Sequence, residues 1–303
     1  MFVCSGSVRK GTYSIVARDP VSGDLGTAVQ SHWFSVGSIV AWGRPGVGTV
    51  ATQSVAEPAY GPRTLDRLAA GESPGDALRA QLEADELRDV RQVAAVSAAG
   101  DIAVHSGTHC IPHVGHVTGA GFSCQANMMA RPGVPEAMAD AFVATEGDLA
   151  ARLLAALQGA ETAGGDVRGR QSAALLVVGA DSAAIVPELE LRVEDHGDPL
   201  GELERLLGLQ RAYALAGEAD DLLGAGQAEE AGRLYQRAAG LAPESDELLF
   251  WAGLSMAQTG DLRGGVDAVR RAAAVHGGWL DLLDRLTDDF APAGAAVREA
   301  LGR

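Results

Sequence analysis

Thr12 opens the run Thr12-Tyr13-Ser14-Ile15-Val16-Ala17-Arg18-Asp19, directly after Gly11. A threonine hydroxyl is a weak nucleophile at neutral pH and needs a base beside it. A threonine at the start of a chain has one in its own α-amine, whose ordinary pKa of about 7.7 to 8.0 suits proton transfer near neutrality. Cutting the Gly11-Thr12 bond would give one residue both roles, with residues 1–11 as a leader. Uncut, Thr12 reads as the opening of an edge strand, and the residues alone leave both readings standing. Ser14, two positions on, is a weaker nucleophile candidate.

Two other stretches carry chemistry-bearing side chains. Four histidines and Cys110 fall between His105 and His116, and neutral imidazole and thiolate both suit zinc. No carboxylates accompany them and the Gly and Pro content predicts a loop, so the spacing does not converge the rings. The expectation is no metal, and either a pocket loop or a structural one. The second stretch, Gly164 to Ser172, places Asp166, Arg168 and Arg170 on a Gly-rich approach to an apolar strand. Such arginines can grip a carboxylate in bidentate fashion, or form a solvated surface pair. A Ser31-His32-Asp19 triad fails because adjacent strand residues point to opposite faces. Lys10 is the one lysine, which excludes a lysine-activated hydroxyl further along. Gly43-Arg44-Pro45-Gly46-Val47-Gly48 has the wrong spacing for a dinucleotide loop, and no helix follows it.

The elements that must hold these residues follow from hydrophobic period and turn residues. Strands are predicted over 12–17, 25–30, 36–42 and 47–53, with Pro20 and Gly23 turning the first hairpin and setting Arg18, Asp19 and Asp24 at one end of the sheet. Helices follow at 62–71 and 74–84, strands at 91–98, 101–106 and 117–127, and helices at 133–145 and 147–158. A buried strand is expected at 172–178, with a partner at 183–189. Strands, two helices, strands, two helices, strands is the order of an α+β protein built as a four-layer α/β/β/α sandwich.

Beyond about residue 198 strand signals vanish. Residues 226–239 and 260–273 align at an offset of 34 residues, the period of tetratricopeptide repeats. A domain over 12–197 followed by a small helical-repeat domain over 198–303, with flanking helices at 201–216 and 280–302, is the expected organisation.

The bulk numbers bound partners. A formal charge of -16 and a pI near 4.8 argue against nucleic acid or an anionic membrane surface. No stretch approaches a membrane span, and no apolar signal segment precedes Arg9-Lys10, so the chain reads as cytoplasmic. Three cysteines suit a reducing compartment. A homodimer fits the exposed strand edges expected, and no cofactor is called for.

Several separated blocks carry a family resemblance: Thr12 to Asp19, Gly46 to Gln53, Pro58-Ala59-Tyr60-Gly61, Cys110-Ile111-Pro112 with Gly115-His116, and Gly165-Asp166 with Arg168 to Leu175. Together they resemble the DUF1028 family, a branch of the Ntn-hydrolase superfamily, over about residues 12–195. The resemblance implies the same sandwich and an amidohydrolase that attacks a small-molecule amide through an N-terminal residue equivalent to Thr12. It implies that Arg18, Asp19, Asp24 and Arg168 or Arg170 orient the amine in place of a lysine. Main-chain N–H groups near Gly48-Thr49 or Gln125-Ala126-Asn127 would form the oxyanion hole. Gln53, Tyr60, His116, Asn127 and Asp166 complete the expected substrate-binding set. Eleven residues precede Thr12 where family members often have a single Met, so the resemblance implies that Gly11-Thr12 is cut, that the true start lies downstream of Met1, or that the chemistry has been lost. The competing expectation is a non-catalytic scaffold that holds a protein partner on the helical repeats.

Overall fold

The computed structural model describes residues 11–303. The chain divides after Glu204 into two compact units.

The first unit is built on two antiparallel sheets. In chain order its elements are β1 (Thr12–Arg18), β2 (Leu25–Ser31), α1 (Gly37–Val40), β3 (Ala41–Arg44), β4 (Gly48–Ser54), α2 (Tyr60–Ala69), α3 (Pro74–Ala84), β5 (Arg91–Ser97), β6 (Ile102–Ser106), β7 (Gly115–Gly119), β8 (Phe122–Asn127), α4 (Val134–Ala144), α5 (Leu149–Thr162), β9 (Ser172–Val178) and β10 (Leu189–Val193). One sheet runs β10-β9-β2-β1-β8-β7 and the other β3-β4-β5-β6. Strand β1 therefore lies inside the six-stranded sheet, paired on both sides, and the edge-strand reading of Thr12 is corrected. Its burial from Thr12 to Ala17 follows, since both neighbours and both faces are covered.

Alternation along the strands sorts the cores. Val16, Val29, Ala174, Leu176 and Val178 of the first sheet meet Ala51, Ala94 and Val96 of the second in one apolar cluster between them. On the far face of the smaller sheet, Val50, Val93 and Ala95 pack against Tyr60, Leu65, Leu68 and Leu78 from α2 and α3. Helix α5 covers the larger sheet: a β-carbon on Gly26 of β2 would fall 2.5 Å from Leu153. Asp148 caps α5 by accepting the Ala151 N–H, and Ser73 caps α3 through the Asp76 N–H.

Three boundaries differ from expectation. Residues 36–42 split into α1 and a short β3; α1 packs so close to β9 that a β-carbon on Gly37 would fall 2.5 Å from the Ala174 side chain. The expected strand 117–127 is a hairpin, β7 and β8, turned at Gly121 with φ 74°. The partner of β9 is residues 189–193 rather than 183–189; Ile185 and Val186 are exposed in the loop before it.

A 26-residue helix, α6 (Pro199–Gly224), leads out of the first unit. The second contains α7 (Ala228–Leu241), α8 (Asp246–Gln258), α9 (Leu262–Val275), α10 (Gly278–Arg285) and α11 (Gly294–Leu301). The segments related by 34 residues form α7 and α9, and α8 lies between them in sequence. Helices α8 and α9 cross where Gly253 lies over the Gly265 carbonyl, 2.7 Å from where a β-carbon would stand. Residues 12–193 are thus a mixed α/β fold with antiparallel sheets, followed by a helical region. Among the described residues no helix is long and apolar enough to cross a membrane.

Candidate active site

At the Thr12 end of the two sheets, the apolar filling between them gives way to a polar row. Pairing in register puts Thr12, Ser31 and Asn127 on one level and Ser14 and Gln125 on the next, all on the face turned to the smaller sheet. Across the gap, Gln53 of β4 and Gln92 of β5 are register partners facing back. All seven side chains are buried. Buried amides are tolerated only when paired, and here they bond between sheets. Gln53 Oε1 accepts from the Ser14 hydroxyl at 2.6 Å, and Gln125 Nε2 donates to that same hydroxyl at 2.7 Å. Gln53 Nε2 and Asn127 Nδ2 both donate to Gln92 Oε1, at 2.8 and 3.1 Å. The same two nitrogens lie 3.3 Å from the Thr12 carbonyl oxygen. Ser14 is thus tied into this network on two sides.

The Gly11 carbonyl, on the other side of the Thr12 nitrogen, is more heavily engaged. It accepts from the Thr12 hydroxyl at 2.6 Å, from the Ser31 hydroxyl, and from Arg168 Nη2 at 2.8 Å. The two hydroxyls lie 3.1 Å apart. Arg168 is oriented by Asp166, whose side chain is fully buried: Nε and Nη2 reach its two oxygens at 3.1 and 2.7 Å. The Arg168 and His32 N–H groups also donate to that carboxylate. Asp166 in turn abuts Gly11, where a β-carbon would lie 2.8 Å from both carboxylate oxygens. The loop reaches this position by hydrogen-bonding beside the continuation of β8. Ala130 donates to the Gly165 carbonyl and Val167 to that of Met128. Gly165 takes φ 58°, and a side chain there would meet Glu161.

Backbone strain marks the same place. Ser54 and Met128, immediately after Gln53 and Asn127, have φ of 72° and 58°, a region that costs a non-glycine residue about 1–2 kcal/mol. Asn127 Oδ1 is buried and has no hydrogen-bond partner among the described residues.

The other expected residues are distributed as follows. Arg18 is six residues along β1 from Thr12, about 20 Å at a strand's rise of about 3.3 Å per residue, and donates to the Ala98 carbonyl. Asp19 accepts from the Val21 and Ser22 N–H groups in its own turn and pairs with Arg152. Partial burial opposes its ionisation, but those bonds and the guanidinium outweigh it and hold the carboxyl below the usual range. Asp24 belongs to the same turn. The structure does not bring Arg18, Asp19 or Asp24 to Thr12, because they follow the strand's far end. Gly48-Thr49 is likewise remote: Thr49 bonds the Gly26 carbonyl, and Gly26 pairs with Ala17. Tyr60 lies on the outer face of the smaller sheet and donates to Asp85. Arg170 pairs with Asp198 and lies 3.7 Å from Glu161, which accepts the Tyr13 hydroxyl; burial, then Glu161, pushes that phenol up.

The histidines do not share a centre. His105 contacts the Arg88 carbonyl and His113 that of Met129, while His116 Nδ1 meets the Ser106 hydroxyl at 3.0 Å. Among the described residues no three His, Cys, Asp or Glu side chains converge as a metal site. His116 is nevertheless coupled to the polar row, since Gln92 Nε2 donates to that same Ser106 hydroxyl at 2.9 Å. Burial, then the neighbouring His105, holds its imidazole below the ordinary value of 6.5. Burial raises the Cys110 and Cys124 thiols, which favours the protonated form over the nucleophilic thiolate.

The family model of DUF1028, a family of unknown function, matches residues 12–203, and the chain belongs to this family. The solved structure of protein SPO2555 from Silicibacter pomeroyi, itself a DUF1028 protein, is similar at 36% identity with a TM-score of 0.60. The similarity covers 65% of this chain and 88% of that one. No curated protein matches.

Sequence reasoning passed over Ser31 as a partner of Thr12, and missed Gln92 and Ser106. Their signal was a period of two: polar residues at alternate positions of strands otherwise apolar enough to be buried, as in Ser123-Cys124-Gln125-Ala126-Asn127.

Gln92→Leu should cost at least about 2 kcal/mol, since it leaves the Gln53 and Asn127 amides short of a buried acceptor at about 1–3 kcal/mol each. Urea unfolding reads this, and a near-neutral change would contradict the network. His116 makes a second, pH-dependent case. With its folded pKa depressed, stabilisation is full above the unfolded pKa of about 6.5 and fades as pH falls through the folded value. The stability difference between the parent chain and His116→Gln should therefore shrink between pH 7.5 and pH 5; a difference that grows on acidification would contradict the neutral, Ser106-bonded ring.

Proposed function

We propose that this chain is an Ntn-type amidohydrolase acting on a small-molecule amide, with Thr12 as nucleophile. The stacking of α2 and α3, two sheets, and α4 and α5 is read as the four-layer Ntn sandwich. The observation that carries the proposal is the Gly11 carbonyl, which holds three donors at the one peptide bond that must break to free the Thr12 amine.

Two of these donors, Ser31 and Arg168, draw electron density onto the Gly11 oxygen and would stabilise the oxyanion formed when the third, the Thr12 hydroxyl, gives up its bond to that oxygen and adds to the carbonyl carbon. Arg168 supplies a full charge in a site its partner Asp166 keeps rigid. Collapse with loss of the Thr12 nitrogen gives an ester between Gly11 and the Thr12 hydroxyl. Water then releases a Gly11 carboxylate and a threonine carrying both a free amine and a free hydroxyl. Ser31, which accepts from the Thr12 hydroxyl at 3.1 Å, is placed to take that proton and return one to the departing Thr12 nitrogen.

The freed amine then serves as base for substrate attack, directly or through a water. Its surroundings support this. The unpartnered Asn127 Oδ1, on the register partner of Thr12, can accept an N–H from the new terminus. Arg168 and Ser31, released from the Gly11 carbonyl, become donors for the substrate acyl oxygen. The Gln53, Gln92 and Asn127 network fixes the Thr12 carbonyl and holds the nucleophile's backbone still while it reacts.

Hydrolysis of a panel of acyl-anilides by the matured chain tests the role of Thr12. Thr12→Ala should lose at least about a thousandfold in rate, a drop of the size expected when a covalent nucleophile is removed. Thr12→Ser should keep measurable activity. Parent-level hydrolysis by Thr12→Ala would assign the nucleophile elsewhere and end this reading.

A further inference from the structure

The helical unit carries a groove of about 850 Å³ whose lining is aromatic and acidic. Tyr213, Tyr235, Trp251 and Phe290 supply the rings, and Asp220, Glu247 and Asp289 the carboxylates. Residues 205–303 contain ten arginines, yet none lines this groove. A second groove in the same unit, beside Leu262 and Val266, is lined by Arg263 and Arg270. The exclusion of cations from the larger groove is therefore local, and goes beyond the chain's acidic average.

Rings and carboxylates in one lining suit a flat cation. Phe290, in the lining of the groove, is 79% exposed, and Tyr213, in the same lining, is exposed as well. Trp251 is half-buried and held edge-on by Phe250, so its position is fixed from behind. The carboxylates are pinned: Tyr213 donates to Glu247 at 2.7 Å and Tyr235 to Asp220. A carboxylate that accepts a phenol still has lone pairs for a guest, and a fixed one loses little entropy when a guest arrives. Guanidinium groups are weakly hydrated, stack on aromatic faces and pair with carboxylates through two parallel bonds. An ammonium is a compact, strongly hydrated charge that gains less from such walls.

We propose that this groove binds an arginine-bearing peptide segment, with a guanidinium stacked on the Phe290, Tyr213 and Trp251 rings and paired to Glu247 or Asp220. The proposal concerns the helical unit alone and does not depend on the hydrolase reading.

The test uses the full chain and two blocked hexapeptides of equal charge, one carrying three arginines and the other three lysines in place of them. Binding is followed by calorimetry in 150 mM salt and by the tryptophan fluorescence. The arginine peptide should bind at least tenfold more tightly than the lysine peptide. Phe290→Ala and Glu247→Gln should each weaken it at least fivefold. Asp267→Asn, on the Arg263 and Arg270 side, should leave it unchanged. Equal affinity for both peptides, or equal loss in Asp267→Asn, would identify plain attraction to an acidic protein and overturn the proposal. No binding of the arginine peptide at millimolar concentration would overturn it too. Phe290 is exposed, so its truncation leaves the fold intact; an unchanged melting curve for Phe290→Ala verifies this.

Discussion

Burying a row of amides between two sheets is permissible only if those amides find one another across the gap, and the architecture at the Thr12 end follows from that requirement. Gln53 and Gln92 from the smaller sheet and Ser14, Gln125 and Asn127 from the larger one satisfy most of their groups in a single network. A one-residue slip of β4 or β8 would turn these side chains to the opposite face and leave them unpaired. The network thereby sets the register of both sheets. It also fixes the Thr12 carbonyl, which lies within reach of two of its amides, and so determines where the Thr12 hydroxyl and the Gly11 carbonyl can be. The left-handed residues that follow Gln53 and Asn127 store strain next to this row, and the surrounding bonds hold it there.

Charge at the site comes from one buried pair. A fully buried aspartate is costly unless its lone pairs are taken, and Asp166 receives two backbone N–H groups and two guanidinium bonds. That arrangement leaves Arg168 as an oriented positive charge on the Gly11 carbonyl. It also accounts for glycine at position 11, since the carboxylate fills the space where a side chain would start. A chain with a single lysine, at position 10, thus places an arginine where charge would develop.

Much of the fold was legible. The alternation of strand and helix patterns, the turn glycines and the capping residues Ser73 and Asp148 located most elements of the first unit, and the 34-residue offset located α7 and α9. What was not legible has physical causes. Strand order is a matter of long-range pairing, so nothing local revealed that β1 is central or that Arg18, Asp19 and Asp24 lie a strand's length from Thr12. The pairing of Ser31 with Thr12 depends on register, and that of Gln53 with Gln92 on neighbouring strands 39 residues apart. Asp166 and Arg168 were legible as a polar approach to a buried strand, but their target was not. The histidine-rich loop looked like a cluster in sequence and is none in space, because the His105, His113 and His116 imidazoles are each turned to a separate carbonyl or hydroxyl.

In the helical unit, composition along the sequence is uniformly acidic and arginine-bearing, and only the packing of helices separates an aromatic, carboxylate-lined groove from an arginine-lined one. The central claim, however, rests on a single peptide bond. Intact-mass measurement of the purified full chain, taken fresh and after incubation at neutral pH, tests it most directly. Everything before Thr12 should be lost by cleavage at Gly11-Thr12, and Thr12→Ala should stay whole. A parent chain that keeps its full mass, or that is cut as readily in Thr12→Ala, would contradict it.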